Sequence, residues 1–174
     1  MVLNVPAGIP AAGKLSAVFI PASGVVDPTA ITLAEINATG SVNASCHLMS
    51  DGYGRTNEQG YADRRRACQQ TTYQVPSAKT VSWDDMRFVY DPQNPDAEVS
   101  EVYAALVEGE EYYAVERIGL DGKADFAADQ YYDAYHLRLD VKEKLVPGDD
   151  GELEFAAKFS NLDDPIKDAQ IAAA

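Results

Sequence analysis

The stretch that decides the fold is residues 135–159, YHLRLDVKEKLVPGDDGELEFAAKF. In its first half apolar side chains alternate with polar ones (Tyr135, Leu137, Leu139 and Val141 against His136, Arg138, Asp140 and Lys142). The alternation resumes after Pro147-Gly148, with Leu153, Phe155, Ala157 and Phe159. A period of two is typical of strands that bury one face, and Pro, Gly and Asp favour a turn. The stretch is therefore predicted to be an antiparallel hairpin.

Other strands are predicted on either side of this hairpin. The alternation is clear in 42–48 and in 80–91, and weaker in 15–20, 67–74 and 111–118. Together these runs give about seven strands, a number typical of a β-sandwich.

One segment has a helical spacing instead. Its apolar residues fall at i, i+3, i+4 and i+7, namely Val99, Val102, Tyr103 and Leu106. Asn94 is a plausible N-cap, Pro95 suits the first helical position and Gly109 lies beyond the end. The sequence therefore predicts a mainly β (α+β) fold, with two packed antiparallel sheets and one flanking α-helix.

Three segments do not fit this strand order. Residues 50–66 are polar and lack apolar periodicity, so a long and functional loop is expected there. Residues 1–13 and 163–174 are rich in Ala, Gly and Pro and are predicted to be terminal arms of a single domain, 1–174.

The composition restricts the function. The chain has 14 Lys and Arg against 28 Asp and Glu, a net charge of −14, yet 46% of it is apolar, so it should fold. An acidic domain repels phosphate, which argues against binding nucleic acid or an anionic membrane. No apolar run is long enough to cross a bilayer, and the first residues do not resemble a secretory signal.

No catalytic or cofactor motif is found, so no catalytic residue, metal ligand or cofactor is predicted. His47 and His136 fall on polar strand faces and are expected at a surface or interface. Cys46 and His47 are neighbours on a strand and point to opposite faces, so they would not bind one zinc ion with Cys68. The two cysteines either fill core space as free thiols or face each other as a cross-strand pair.

Several stretches resemble a known family: residues 28–40, which contain Leu33-Ala34-Glu35-Ile36-Asn37, the strand to Leu48 with the turn Asp51-Gly52, Asp63-Arg64-Arg65 before Cys68, and Val115-Glu116-Arg117-Ile118-Gly119. These residues and their order resemble the major tail (tail tube) protein of long-tailed, non-contractile phages of actinobacteria. The resemblance covers about residues 20–162.

The resemblance implies a structural virion protein of the phage tail, assembled in the host cytoplasm. Six copies would form a ring, and stacked rings a tube that conducts DNA without binding it specifically. Tape-measure and tail terminator proteins are implied as partners, and an acidic conduit lets DNA slide. The alternatives are another virion component of related fold, a tail terminator or capsid decoration protein, or a small acidic hydrolase.

Two groups of residues are expected to serve this assembly. The long loop should contact a neighbouring subunit, with candidates Asp51, Gly52, Tyr53, Arg55, Asp63, Arg64, Arg65 and Arg66. The lumen candidates, chosen from polar strand faces, are Asp84, Glu116 and Glu154.

Overall fold

The computed structural model describes residues 7–148 and 151–173, and most of these form antiparallel β-structure. The strands are β1 Leu15–Pro21, β2 Val42–Asn43, β3 Arg55–Arg64, β4 Tyr73–Trp83, β5 Met86–Val89, β6 Glu111–Ile118, β7 Tyr131–Lys144, β8 Glu154–Asn161 and β9 Ile166–Gln170. Seven of them form one sheet in the order β2-β1-β6-β7-β8-β5, with β9 also paired to β7. β3 and β4 form a second, two-stranded sheet. The predicted mainly β class is confirmed, as is the hairpin of β7 and β8.

The large sheet curls into a barrel. Phe19 on β1 and Phe88 on β5 pack edge to face with ring centroids 6.0 Å apart, although β6, β7 and β8 separate their strands in the sheet. Segment 42–52 joins the two edges: β2 pairs with β1, and the amide of Val89 donates to the carbonyl of His47 at 2.9 Å. The sheet edges that would otherwise be open are thus closed within the chain.

Apolar side chains fill both faces of the central strands. The barrel interior holds an aromatic and aliphatic core that includes Phe19, Phe88, Tyr135, Leu137, Leu139, Phe155 and Phe159. On the outer face of β1, β6 and β7 a second core contains Val18, Ile20, Ile31, Ile36, Val115, Tyr132 and Ile171. The alternation along β7 therefore separates two buried faces in its first half, and a buried from a solvated face only towards its end.

The predicted helix is present but shorter. A 3₁₀ turn, Glu98–Ser100, leads into α2, Glu101–Ala105, and Val102 and Leu106 are fully buried as their spacing predicts. The start at Asn94 is wrong: the buried Ser100 hydroxyl donates to the carbonyls of Asp91 and Asn94, both at 3.0 Å, and holds 91–97 as turns. A one-turn helix, α1 Leu33–Ile36, was not predicted; the carboxylate of Glu35 accepts from the N-cap amide of Thr32 in a capping box.

Three strand predictions are wrong in extent. The run 80–91 is divided between the end of β4 and β5, which belong to different sheets. Residues 67–72, predicted as the start of a strand, form turns and bends, and regular structure resumes only at Tyr73. In 42–48 only Val42–Asn43 are a strand, because residues 45–47 turn in order to reach β5. Cys46 and Cys68 are both exposed free thiols, so the expectation that they fill core space is wrong.

The predicted loop 50–66 is mostly a strand. β3 covers Arg55–Arg64 and pairs with β4 in an antiparallel hairpin. Its sequence shows no apolar period because most of its side chains, on both faces, are exposed. Alternation of polarity reveals a strand only when one face is buried.

The C-terminal segment is not a free arm. β9 pairs with β7, Ile171 is buried, and the amide of Ala172 donates to the carbonyl of Ile31 at 2.9 Å. At the other end residues 7–13 are exposed and form no strand or helix; the rest of the predicted N-terminal arm, 1–6, lies outside the described residues.

Arg117 organises the segment between β6 and β7. Its guanidinium is buried on the outer face and donates to the carbonyls of Asp121, Ala124 and Asp125 and to the side chains of Ser16 and Gln130, at 2.7 to 2.9 Å. The two terminal nitrogens of the guanidinium make these contacts, whereas its buried Nε has no partner among the described residues. The contacts hold a connection of otherwise irregular backbone to β6.

Candidate inter-subunit surface

The most exposed regular element is the hairpin of β3 and β4, residues 55–83, called here the arm. β3 has ten residues, which corresponds to about 30 Å of extended chain. Most side chains of both strands are exposed, and an isolated two-stranded hairpin is marginally stable in water. The position of the arm must therefore be fixed where it leaves the barrel.

A buried ion pair fixes the base of the arm. The Glu116 side chain is completely buried, and Arg55 binds both of its carboxylate oxygens, at 2.7 Å from Nη1 and 2.6 Å from Nη2. The hydroxyls of Tyr53 and Tyr135 donate to the same carboxylate, at 2.9 and 3.3 Å. Charge-assisted, bidentate contacts of this kind are the strong ones, and here they join the arm to β6 and β7.

The surroundings keep these donors protonated. Burial and the charge of Glu116 raise the pKa of Tyr53 well above its usual value, and the same two causes raise the pKa of Tyr135. Burial opposes the charge of Arg55, but the hydrogen bond and charge of Glu116 outweigh it and raise the pKa of the guanidinium. At neutral pH the carboxylate is thus surrounded by donors.

Aromatic rings complete the base. The Arg55 guanidinium lies over the rings of Tyr135 and Trp83, at 4.7 and 5.4 Å from their centroids. Trp83, the last residue of β4, packs edge to face on Tyr135 at 4.9 Å. Stacking on aromatic faces suits an arginine and a lysine would not reproduce it.

A second contact lies just before the arm. Gly52 packs so closely on β5 that a Cβ at this position would stand 2.7 Å from the Cβ of Arg87. The Arg87 side chain pairs with Asp51 and, at 3.3 Å, with Glu154. Residues 51–55 are therefore held to the chain's own barrel.

The predicted loop residues thus divide into two groups. Asp51, Gly52, Tyr53 and Arg55 anchor the arm within the chain, and their contact with a neighbour stays a prediction. The others (Asp63, Arg64, Arg65 and Arg66) are exposed at the distal end of the arm.

The three predicted lumen residues differ in how far they are exposed to solvent. Glu116 is 1% exposed and paired with Arg55, so its assignment to a solvated strand face is wrong. Glu154 is mostly buried against Arg87. Asp84 is exposed, between β4 and β5.

The charges of the arm are opposite in sign to those of the rest of the chain. The arm contains five basic residues (Arg55, Arg64, Arg65, Arg66 and Lys79) and two acidic ones (Glu58 and Asp63), a net charge of +3. The remaining residues contain nine basic and 26 acidic side chains, a net charge of −17. A basic projection on an acidic body fits electrostatic binding to another acidic surface.

The two histidines lie away from the arm base. Nε2 of His47 lies 3.1 Å from the carbonyl of Glu98, and His136 stacks on Tyr113 at 4.6 Å with Asp163 at 2.9 Å. Among residues 7–148 and 151–173 no group of three or more His, Cys, Asp or Glu is placed to hold a metal ion. Within the same ranges no helix is long and apolar enough to cross a membrane.

The family model described as "Phage tail tube protein" matches residues 2–174. The chain belongs to the phage tail tube protein family. This phage tail tube protein is therefore a structural component of the virion tail, as the resemblance implied. A restriction to phages of actinobacteria stays a prediction.

A solved structure agrees with the fold of this tail tube protein. A chain of the cryo-EM structure of the anti-feeding prophage baseplate, 6-fold symmetrised, is similar with a TM-score of 0.50 over 92% of this chain and 95% of that chain, at 8% identity. At this identity the likeness shows the fold alone. None of the curated proteins compared with the chain matches it.

Proposed function

We propose that this tail tube protein forms hexameric rings that stack into a hollow tube for the passage of DNA. The single observation that carries the proposal is the arm: a basic, mostly exposed hairpin, rigidly anchored at its base, on a body with a net charge of −17. The similar chain from a six-fold symmetrised assembly supports six copies per ring.

The distal arm is the proposed contact with a neighbouring subunit in the adjacent ring. A contact between two different patches of identical subunits is heterologous, and such contacts produce open polymers when the geometry does not close. Arg64, Arg65 and Arg66 would pair with carboxylates of the neighbour, each exposed pair contributing about 0 to 1 kcal/mol. Six copies engage together in each ring, so these contributions accumulate.

We further propose that the tube is a conduit for DNA and that its ends meet other tail proteins. The chain acts as a single domain without catalytic activity or cofactor, is assembled in the host cytoplasm, and meets the tape-measure and tail terminator proteins. Its excess of carboxylates gives an electronegative lumen that repels phosphate, and Asp84 is the predicted lumen residue that remains exposed.

Replacing Arg64, Arg65 and Arg66 together by alanine tests the contact. We expect an unchanged circular dichroism spectrum and melting temperature, because the three side chains are exposed, but weaker tube growth that depends less on salt. The matched control replaces Arg138, an exposed arginine on β7, by alanine. Equal growth of the triple variant and the parent at every ionic strength would show that the arm tip does not contribute.

A further inference from the structure

An apolar pair is left uncovered next to the base of the arm. Ile118 ends β6 and is 65% exposed, and Tyr131 begins β7 and is 62% exposed. The register that pairs Glu116 with Asp133 places Ile118 opposite Tyr131, and both line one small cavity. By strand alternation both side chains lie on the inner face of the sheet, the face that lines the barrel interior at other positions of β6 and β7. We call this pair the Ile118–Tyr131 patch; Ile118 lies two residues beyond the buried Glu116 on β6.

The chain's own arm does not reach this patch with its distal part. Ile118 is two residues from Glu116 on β6, about 7 Å along the strand, whereas Arg64 is nine residues from Arg55, about 30 Å along the arm. The arm also leans towards the segment before and within β9, because its residues 57–59 and 79–81 share a cleft with Asp164, Pro165 and Lys167. A paired hairpin anchored at Arg55 cannot fold back over its own base.

One face of the distal arm is complementary to the patch. Arg64 pairs with Tyr73 and Ala62 with Val75 across the arm, so these four side chains share a face. Tyr73 and Val75 are 43% and 37% exposed. Arg64 is exposed as well, so the chain's own barrel does not cover this face of the distal arm.

Carboxylates beside the patch match the arginine of that face. Asp133 and Asp168 line the same cavity as Ile118 and Tyr131. In the described part of the chain neither carboxylate makes an ion pair; Asp133 accepts only the amide of Asp168, at 2.9 Å. An apolar pair beside two carboxylates is therefore complementary to a surface with apolar side chains and a positive charge.

We propose that the Ala62, Arg64, Tyr73 and Val75 face of the arm binds the Ile118–Tyr131 patch of a second copy. This inference rests on the proposed function, since it names the surface that receives the arm in a neighbouring subunit. Tyr73 and Val75 cover Ile118 and Tyr131, and Arg64 pairs with Asp133 or Asp168 of that copy. Donor face and receiving patch are different surfaces, so each copy can give one arm and receive another.

Cysteine cross-linking in assembled protein tests the pairing. In a background with Cys46→Ser and Cys68→Ser, both exposed thiols, Tyr73→Cys is combined with Ile118→Cys and treated with a short bifunctional thiol reagent. The matched control combines Tyr61→Cys with Ile118→Cys, because Tyr61 is exposed on the opposite face of β3. We expect a ladder of cross-linked oligomers from the first pair, several-fold stronger than from the control.

A substitution on the receiving side gives a second test. Ile118→Asp should weaken tube growth by about tenfold or more, since it places a charge in an apolar contact, and leave the melting temperature unchanged. The control is Val26→Asp at another exposed position, 93% exposed.

The outcomes separate this inference from the proposed function. Three results would overturn the inference and leave tube formation standing: tubes without a ladder from the 73–118 pair, equal ladders from both pairs, or equal tube growth of Ile118→Asp and Val26→Asp. Absence of tubes from the unmodified protein would overturn both.

Discussion

At the scale of single residues the position of the arm depends on Glu116 and Arg55. Arg55→Met would leave the Glu116 carboxylate, 0% exposed, without its counter-charge. Breaking a buried pair in this way costs about 3 to 5 kcal/mol, so we expect the free energy of unfolding in urea to fall by about 3 kcal/mol. The control is Lys158→Met, which removes an exposed pair with Asp85 and should cost about 0 to 1 kcal/mol. Equal losses in the two variants would contradict the anchor.

The tyrosines of the same network predict an alkaline dependence. The pKa values of Tyr53 and Tyr135 are raised in the folded protein, so the folded state keeps protons that the unfolded chain releases above about pH 10. Stability therefore decreases as the pH rises through that range. Melting temperatures between about pH 8 and 11 should fall less steeply for Tyr53→Phe than for the parent, and parallel curves would contradict this.

The contact between Glu116 and Arg55 could not be predicted from the sequence. The alternation along β6 correctly puts Glu116 on the other face of the strand from Val115 and Arg117. A pattern within one strand, however, carries no information about Arg55, which lies 61 positions away in the sequence. Arg55 therefore appeared as part of an interface and Glu116 as solvated. Trp83 and Tyr135 were missed as binding partners for the same reason.

At the scale of elements the arm is the feature that the sequence concealed. The buried strands β1, β6, β7 and β8 were predicted close to their observed bounds because burial imposes alternation. The arm has little burial, so β3 falls in the predicted polar loop 50–66, whereas the two ends of β4 overlap the strands predicted at 67–74 and 80–91. The C-terminal strand β9 was not predicted, because its Ala and Asp residues disfavour a strand. Its pairing partner, β7, lies more than 30 residues earlier in the sequence, so no local hairpin pattern indicates it.

The arm contains a bulge that makes a local prediction possible. The register shifts between Gln59 and Tyr61, and a Cβ on Gly60 would lie 2.7 Å from Oγ of Ser77 and 3.1 Å from the carbonyl of Ala78. Gly60→Val should therefore open the arm while the barrel stays folded. Hydrogen exchange of arm amides should accelerate, with barrel amides unchanged. Gly148→Val, where nothing lies within 4 Å, is the control and should leave exchange in the arm as it is.

At the scale of the whole molecule the charge distribution predicts the character of the tube. Because the body carries −17, we expect a cryo-EM map of the tube to show an electronegative bore, with Asp84 facing it. A neutral or basic bore would contradict the account of DNA passage. The resemblance pointed to this class of protein from the sequence, and the net charge was compatible with it. The separation of the +3 arm from its body became visible only when the hairpin was located.

Assembly of the purified protein shows most directly whether it alone builds a hollow tube through its arms. Purified protein is followed by light scattering over a range of concentrations, and the same samples are imaged by negative-stain electron microscopy. We expect rings that give way to hollow tubes with six-fold symmetry as the concentration rises. A monomer that persists at the highest concentration, with no rings or tubes in the images, would contradict it.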